Sequence, residues 1–254
     1  MSDENRGARE VVVVIGPGSI GQAIARRVGS GRTLLLAAHS EQATKAAAEP
    51  LGADGFEVAA PQVTDISDRD PVEALADTAA ALGPVTHVIH AAGVSPTQAT
   101  IERVMQVDLA GTAYILDAFA RVVAPGGAGI VVASMAGHRE SPYDRETEHA
   151  LATTPTDQLL TLPFLDPAKV GSSVHAYALA KRGNALRVET AAAAWGRRGA
   201  RVNAISPGVI ITPLARDELS GPRREWFVKF PRDLGHVIVM LRGRADAAAW
   251  CRPG

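Results

Sequence analysis

The chain has 254 residues, a formal net charge of −1 and 46% hydrophobic residues, which is the composition of an ordinary globular protein. No apolar run approaches the roughly 18 residues that span a bilayer, and no excess of positive charge favours a nucleic-acid partner. Residues 1–9 are polar and mixed in charge, so they predict a flexible tail rather than a secretory signal. We therefore expect no membrane and no nucleic-acid partner, and a cytoplasmic location.

The cysteine and histidine residues do not have the spacing of a metal-binding site. Cys251 is the only cysteine, and the seven histidines lack the His-x-x-x-His spacing of a metal-binding helix. We predict no metal. A chain of this length forms an α/β fold comfortably as one domain, so residues 1–254 are expected to be a single domain.

Short apolar runs alternate with alanine-rich stretches along the chain. The runs suit strands that are buried on both faces: residues 11–15, 33–37, 56–60, 86–90, 129–133 and 201–205. The stretches between them have helical spacing: residues 20–28, 41–50, 71–82, 101–123 and 176–198. This alternation predicts a doubly wound parallel sheet, a Rossmann fold, whose ligands bind beyond the carboxyl ends of the strands.

Residues 138–174 separate the fifth predicted strand from the next helix and are longer than a routine connection. Within them, Thr154, Pro155 and Asp157 resemble the start of a helix, with Leu159 and Leu160 behind it. We predict a lid or an extended wall over a substrate pocket. A surface insertion with no role is the alternative.

A glycine-rich run follows the first strand and opens the first helix. Its residues are Gly16, Pro17, Gly18, Ser19, Ile20 and Gly21. Glycines permit a tight turn and let the backbone approach a pyrophosphate at the positive end of a helix. The run predicts a dinucleotide site.

The end of the second strand bears on which nicotinamide cofactor binds. A carboxylate there would bind the adenosine ribose and repel a 2′-phosphate, but the sequence has Ala38, His39 and Ser40. The last two side chains are able to donate to a phosphate. NADP(H) is therefore predicted over NAD(H), although no arginine stands in this turn.

Two further segments follow predicted strands. Asp65 and Ile66 come after the third strand, where an adenine ring is expected, although Asp65 also fits a helix cap before Asp68. The small residues that follow the fourth strand suit a backbone that passes close to the cofactor; they are Ala91, Ala92 and Gly93.

Tyr177 and Lys181 are four residues apart, so both project from one face of a helix. A phenol titrates near pH 10 in water, too high for efficient proton exchange at neutrality, and a neighbouring cation lowers that value. Ser134, at the end of the fifth strand, is placed to hydrogen-bond a substrate oxygen as charge develops on it. Together they predict general acid catalysis beside a bound hydride donor.

In their order along the chain, these motifs resemble those of the short-chain dehydrogenase/reductase family from about Glu10 to Gly221. The resemblance implies that Tyr177 is the acid/base, that Lys181 binds the nicotinamide ribose and that Ser134 orients a small carbonyl or alcohol substrate. It also implies a cofactor contact by a segment after the last motif strand: Pro207, Gly208, Ile210 and Thr212. A dimer or tetramer is the usual state of the family.

The sequence departs from the family pattern in several places. Ile15 and Ser19 replace a threonine and a glycine of the loop, and His90 replaces the asparagine before Ala91. Asp108 stands where the fourth catalytic residue of the family is an asparagine, and its charge would alter the surroundings of Lys181.

The end of the chain also differs from the family. Residues 222–254 form an atypical C-terminal segment, in which residues 237–241 predict a substitute strand. Two other functions therefore stay open beside the oxidoreductase. One is a dehydratase or epimerase that retains and regenerates its nicotinamide; the other is a non-catalytic protein that binds NADP(H) or a partner.

Overall fold

The computed structural model describes residues 8–138, 143–208 and 210, together with the backbone of residues 240–242. The strands in chain order are β1 Val11–Ile15, β2 Thr33–Ala38, β3 Glu57–Val58, β4 Gln62–Val63, β5 Val85–His90, β6 Val123–Val132, β7 Arg201–Ser206 and β8 Met240–Arg242. The helices are α1 Ser19–Val28, α2 Glu41–Ala53, α3 Arg69–Leu82, α4 Ile101–Val104, α5 Gly111–Val122, α6 Arg145–Thr153, α7 Pro167–Val170 and α8 Ser173–Arg197. A π-helical turn, Met105–Ala110, joins α4 to α5.

The strands form one sheet in the order β3-β2-β1-β5-β6-β7-β8, and β4 also pairs with β2. The pairs β1–β2, β1–β5 and β5–β6 are parallel, whereas β8 pairs antiparallel with β7. A parallel sheet between layers of helices is the predicted Rossmann fold, and this prediction is confirmed.

Several predicted elements differ in detail from the structure. Within the strand predicted at residues 56–60, the structure has β3, and a second short strand, β4, follows beyond it; the two pair with different parts of β2. Pro61 lies between them and has no N–H to continue a strand ladder. The predicted helix at residues 101–123 is interrupted by the π-helical turn, and its last residue begins β6. The substitute strand predicted at residues 237–241 is found as β8 over Met240–Arg242, and residues 237–239 lie outside the described part of the chain.

The described residues group into two compact units. The first consists of the residues up to Gly93 together with Gly111–Val131 and Ala191–Val202. Its core includes the whole of β1, whose side chains are at most 1% exposed. Trp195 is 1% exposed and donates from its indole nitrogen to the Leu116 carbonyl at 3.1 Å. The prediction of a single domain stays a prediction.

The second unit contains Val94–Ala110, Val132–Thr190 and the described residues after Val202. Most of the predicted insertion, from residue 143 onward, belongs to it and is folded against α8. The buried guanidinium of Arg187 donates to the carbonyls of Leu151 and Thr154 at 3.0 Å each and to Thr156 Oγ1 at 2.9 Å. The helix start predicted around Thr154 is a 3₁₀ turn at Thr156–Thr161.

None of the helices in the described ranges has the length and apolar character that crossing a membrane requires. Among the same residues, no three His, Cys, Asp or Glu side chains are grouped closely enough to hold a metal ion.

Candidate active site and nucleotide-binding loop

The glycine loop after β1 has a backbone that only glycine accommodates. Gly16 has a φ of +78°, and a Cβ there would lie 2.3 Å from the backbone nitrogen of Ala92. At Gly21, a Cβ would lie 2.5 Å from the Gly16 carbonyl oxygen. Ala91, at the end of β5, donates its N–H to the Ile15 carbonyl at 2.8 Å. The small residues after β5 thus allow this strand end to approach the glycine loop.

The start of α1 fits a phosphate group. Gly18 is the N-cap of the helix, no side chain of the described residues caps it, and the first turn carries no acidic residue. A Cβ at Gly18 would meet no atom of the described residues within 4 Å. Ser19 is exposed and Ile20 half-buried at this end. Free N–H groups at the positive end of a helix dipole are the donors that a pyrophosphate needs.

The turn after β2 carries no carboxylate, as the sequence indicates. His39 is exposed, and Ser40 is the N-cap of α2, where its hydroxyl accepts from the Ala43 N–H at 3.2 Å. This accepted bond uses a lone pair and not the hydroxyl hydrogen. The structure therefore adds a helix-capping role to Ser40.

The structure separates the two interpretations of Asp65. The cap of α3 is Asp68, which accepts from the Asp70 N–H. Asp65 is exposed and instead accepts from both the N–H and the hydroxyl of Ser67. Its neighbour Ile66 is 5% exposed. The alternative of a cap at Asp65 is therefore wrong, and its adenine contact stays a prediction.

In the second unit, Ser134 follows β6 and begins a 3₁₀ turn at Met135–His138. Its Oγ accepts from the Ala136 N–H at 3.1 Å. Met135 donates its N–H to the Pro207 carbonyl at 3.0 Å, so the segment after β7 lies beside this turn. Pro207 is buried, Gly208 half-buried and Ile210 41% exposed. Thr212 lies outside the described residues.

Tyr177 and Lys181 lie one turn apart on α8, as predicted. The Lys181 Nζ is 5.4 Å from the centroid of the Tyr177 ring. Tyr177 and Ser134 are partly exposed, whereas Lys181 is only 5% exposed. Two side chains that are able to exchange protons with a ligand are therefore accessible, and the cation beside the tyrosine is shielded from bulk water.

Asp108 is paired with Lys181. Its Oδ1 lies 3.5 Å from the Lys181 Nζ, and the aspartate is 0% exposed. The Val94 N–H donates to the same carboxylate at 3.2 Å, and Lys181 donates to the Val132 carbonyl at 3.3 Å. Asp108 lies in the π-helical turn, an element that often occurs at functional sites.

Burial and charge act in opposite directions on this pair. Burial raises the pKa of the Asp108 carboxyl, while the Lys181 charge and the Val94 hydrogen bond act to lower it; the net pKa is above the usual value. Burial acts to lower the pKa of the Lys181 ammonium, but the Asp108 charge, with smaller effects of Tyr177 and hydrogen bonding, raises it above the usual value. Asp108 therefore helps to keep Lys181 protonated.

We expect Asp108→Asn to move the basic limb of the pH profile of carbonyl reduction, which is the fall in rate at high pH, to lower pH. The amide keeps an acceptor for the Val94 N–H but loses the charge that raises the Lys181 pKa. Lys181 then loses its proton at a lower pH, and the loss of negative charge also favours the phenolate of Tyr177. A shift of at least about one unit is expected, because charges at this separation interact by more than the 1.4 kcal/mol of one pKa unit. An unchanged or raised limb would contradict the role given to Asp108.

Two groups of this site have no side-chain signal in the sequence. The Val132 carbonyl and the Val94 N–H are backbone groups, and any residue would supply them. Only the neighbouring positions indicate them, because Val132 ends β6 before Ser134 and Val94 follows the small residues after β5.

Comparison with known proteins agrees with the motifs. The chain matches a family model described as short chain dehydrogenase over residues 10–144, and one described as Enoyl-(Acyl carrier protein) reductase over residues 145–229. It is 38% identical over 221 residues to the short-chain dehydrogenase/reductase bsc3 of Alternaria brassicicola, covering 86% of this chain and 79% of the relative. It is 29% identical over 216 residues to the 3-alpha-hydroxysteroid dehydrogenase/carbonyl reductase of Comamonas testosteroni, covering 75% of this chain and 83% of that protein.

Solved structures share the fold. The actinorhodin polyketide ketoreductase with NADPH superposes with a TM-score of 0.64 at 20% identity, covering 91% of this chain and 85% of the other. The 3-alpha-hydroxysteroid dehydrogenase from Pseudomonas sp. B-0831, complexed with NADH, has a TM-score of 0.66 at 21% identity, covering 87% and 80%. With the motifs and the family match, these comparisons lead to one conclusion: the chain belongs to the short-chain dehydrogenase/reductase family of nicotinamide-dependent oxidoreductases.

Proposed function

We propose that this protein is an NADP(H)-dependent oxidoreductase that interconverts a small carbonyl and its alcohol, with Tyr177 as the general acid/base. The observation that carries the proposal is the accessible Tyr177 beside the buried, Asp108-paired Lys181. A cation that is held protonated next to a phenol stabilises the phenolate that remains after proton donation.

The first unit supplies the groups that would hold the cofactor. The start of α1 behind Gly18 would bind the pyrophosphate, with Gly16 and Gly21 permitting the turn. The carboxylate-free turn at His39 and Ser40 favours a 2′-phosphate. Related structures carry NADPH in one case and NADH in another, which supports a nicotinamide cofactor without distinguishing the two.

Further cofactor contacts are proposed from the sequence motifs. They would come from residues after three strands, together with the reacting helix: Asp65, Ile66, Ala91, Ala92, Gly93, Pro207, Gly208, Ile210, Thr212, Tyr177 and Lys181. Of these, Thr212 lies outside the described residues.

A nicotinamide held at this site would supply or accept the hydride at the substrate carbon. In the reducing direction, Tyr177 donates its phenolic proton to the carbonyl oxygen, so that a hydroxyl forms and the tyrosine becomes a phenolate. The Lys181 ammonium stabilises that phenolate, and Asp108 maintains the ammonium. The Ser134 hydroxyl accepts from the Ala136 N–H through a lone pair, and its hydrogen would donate to the same substrate oxygen.

Relatives suggest the substrate class. They include proteins named D-threitol dehydrogenase, galactitol 2-dehydrogenase and 3-alpha-hydroxysteroid dehydrogenase/carbonyl reductase. We therefore propose a secondary alcohol and its ketone as the substrate pair. The folded part of the insertion, anchored by Arg187, is proposed to be a wall of the pocket. A homo-oligomer stays a prediction.

A panel of ketones and alcohols with NADPH or NADP⁺ tests the function. Net oxidation or reduction of the cofactor that depends on the substrate supports an oxidoreductase. Substrate conversion with no net change in the cofactor would instead indicate the dehydratase or epimerase alternative. Cofactor binding without any conversion would indicate the non-catalytic alternative.

We expect His39→Asp to reverse the cofactor preference. A carboxylate at this exposed position would repel a 2′-phosphate and accept from a ribose hydroxyl. The affinity for NADPH is expected to fall by about tenfold or more, since a pair of like charges at the site costs at least about 1.4 kcal/mol. Fluorescence titrations with NADPH and NADH measure this, and His149→Asp, an exposed change in α6, is the control. An equal loss for both cofactors would argue against a phosphate contact at this turn.

A further inference from the structure

Asn184 of α8 is a buried amide whose side chain makes no hydrogen bond to any group in the described ranges. The residue is 0% exposed, and neither Oδ1 nor Nδ2 has a hydrogen-bond partner among the described residues. An asparagine amide offers two donor hydrogens and an acceptor oxygen, and burying them unpaired is costly. Buried polar groups of this kind are commonly satisfied by an internal water.

The position of Asn184 relates it to the reacting groups. It follows Tyr177 by seven residues and Lys181 by three, spacings that place these side chains on one face of α8. The residue before it, Gly183, is so close to the π-helical turn that a Cβ there would lie 2.5 Å from Leu109 Cδ1. Asn184 is therefore next, along α8, to the place where this helix packs on the π-helical turn.

The π-helical turn is a source of acceptors for a bound water. Its hydrogen bonds run from residue i to i+5, so it contains one residue more than the matching α-helical turn, and its carbonyls are displaced from the α-helical pattern. Gln106 is the exposed residue of the turn, and the other five residues, including Asp108 and Ala110, are buried away from bulk water. A water there would have polar partners on both helical segments, as a stable internal water requires.

We propose that Asn184 binds an internal water that links α8 to the π-helical turn and so holds the Asp108 carboxylate against Lys181. Asn184 is then a positioning residue, which acts on the reaction only through that ion pair. The water site itself does not depend on the proposed function. Only its effect on turnover rests on that function.

The water is tested directly by NMR on the complete wild-type chain. Rotating-frame cross-relaxation between water and the Asn184 side-chain amide protons reports a water that resides beside them. We expect to detect this cross-relaxation, and we expect it to remain after the contribution of exchange with nearby hydroxyl protons has been subtracted. Failure to detect it, with the amide resonances assigned, would overturn the proposal, and this result is independent of whether the protein turns over any substrate.

Asn184→Leu gives a second, thermodynamic readout. Leucine has the same number and branching of side-chain heavy atoms but no polar group. If the amide binds a water, the variant loses hydrogen bonds and is expected to melt about 3 °C lower. If the amide is unpaired, leucine removes a buried polar group without losing any hydrogen bond, and the melting temperature rises. A rise would overturn the proposal.

The positioning role is tested by the pH profile of carbonyl reduction. In Asn184→Leu the carboxylate is held less firmly, so the basic limb is expected to shift to lower pH, in the direction of Asp108→Asn but by less. Asn184→Ser, which keeps a hydroxyl for the water, should restore the limb. Val188→Ala, at a buried apolar position of the same helix, is the control and should lower stability without moving the limb. A limb unmoved in Asn184→Leu would overturn the positioning role, and inactive wild-type protein would instead refute the proposed function.

Discussion

Replacing Tyr177 with phenylalanine is expected to lower kcat for carbonyl reduction by about 10²- to 10⁴-fold, the usual contribution of a general acid. The substitution removes only the hydroxyl that would donate the proton. The aromatic ring stays beside the Lys181 ammonium, whose Nζ is 5.4 Å from the ring centroid, so the surroundings of the cation are largely kept. Initial rates and a cofactor titration on the same preparation measure both effects.

The titration separates chemistry from binding. We expect NADPH affinity to change little in Tyr177→Phe, because the glycine loop and the turn at His39 are untouched. Tyr114→Phe is the matched control, since it removes a tyrosine hydroxyl from α5, where Arg69 lies over the ring at 5.0 Å. Wild-type turnover in Tyr177→Phe would show that another group donates the proton.

Replacing Lys181 with methionine is expected to destabilise the fold by about 3–5 kcal/mol near neutral pH, the usual cost of removing one member of a buried ion pair. The Asp108 carboxylate is 0% exposed and would lose the positive charge that offsets its burial. The stability of this variant is expected to rise as the pH falls, because burial raises the Asp108 pKa and protonation removes the uncompensated charge. Denaturant unfolding at neutral and mildly acid pH measures this.

A second substitution tests whether the loss comes from the uncompensated carboxylate. The double variant Lys181→Met with Asp108→Leu contains neither charge, and replacing a buried pair by apolar groups is often neutral for stability. We expect the double variant to recover stability but not turnover, because the cation beside Tyr177 is still missing. A double variant less stable than Lys181→Met would contradict this account of the pair.

The sequence predicts those parts of the fold that depend on local pattern. β1 has the predicted bounds because its five apolar residues are bounded by a charged residue and a glycine. Pro61 separates β3 from β4, because proline has no N–H to donate to the hydrogen-bond ladder of the sheet. A proline at this position is visible in the sequence. The π-helical turn has no such signal, because the apolar spacing of residues 101–123 is that of an ordinary helix.

For the site, the sequence motifs name the side chains but not their pairing. Asp108 and Lys181 are 73 positions apart, and their ion pair requires the π-helical turn and α8 to pack together. The sequence pattern also does not indicate which polar residues of α8 are buried. Asn184 and Arg187 lie in an alanine-rich helix, where polar side chains are expected to face solvent. Tertiary packing nevertheless buries both.

Titration of the purified protein with NADPH and with NADH tests the proposal that this chain binds NADP(H) and reduces a carbonyl through Tyr177. Enhanced nicotinamide fluorescence with tighter binding of NADPH is the predicted result, and it would justify the carbonyl panel with Tyr177→Phe as control. A folded sample that binds neither cofactor would rule out the proposed NADP(H)-dependent activity.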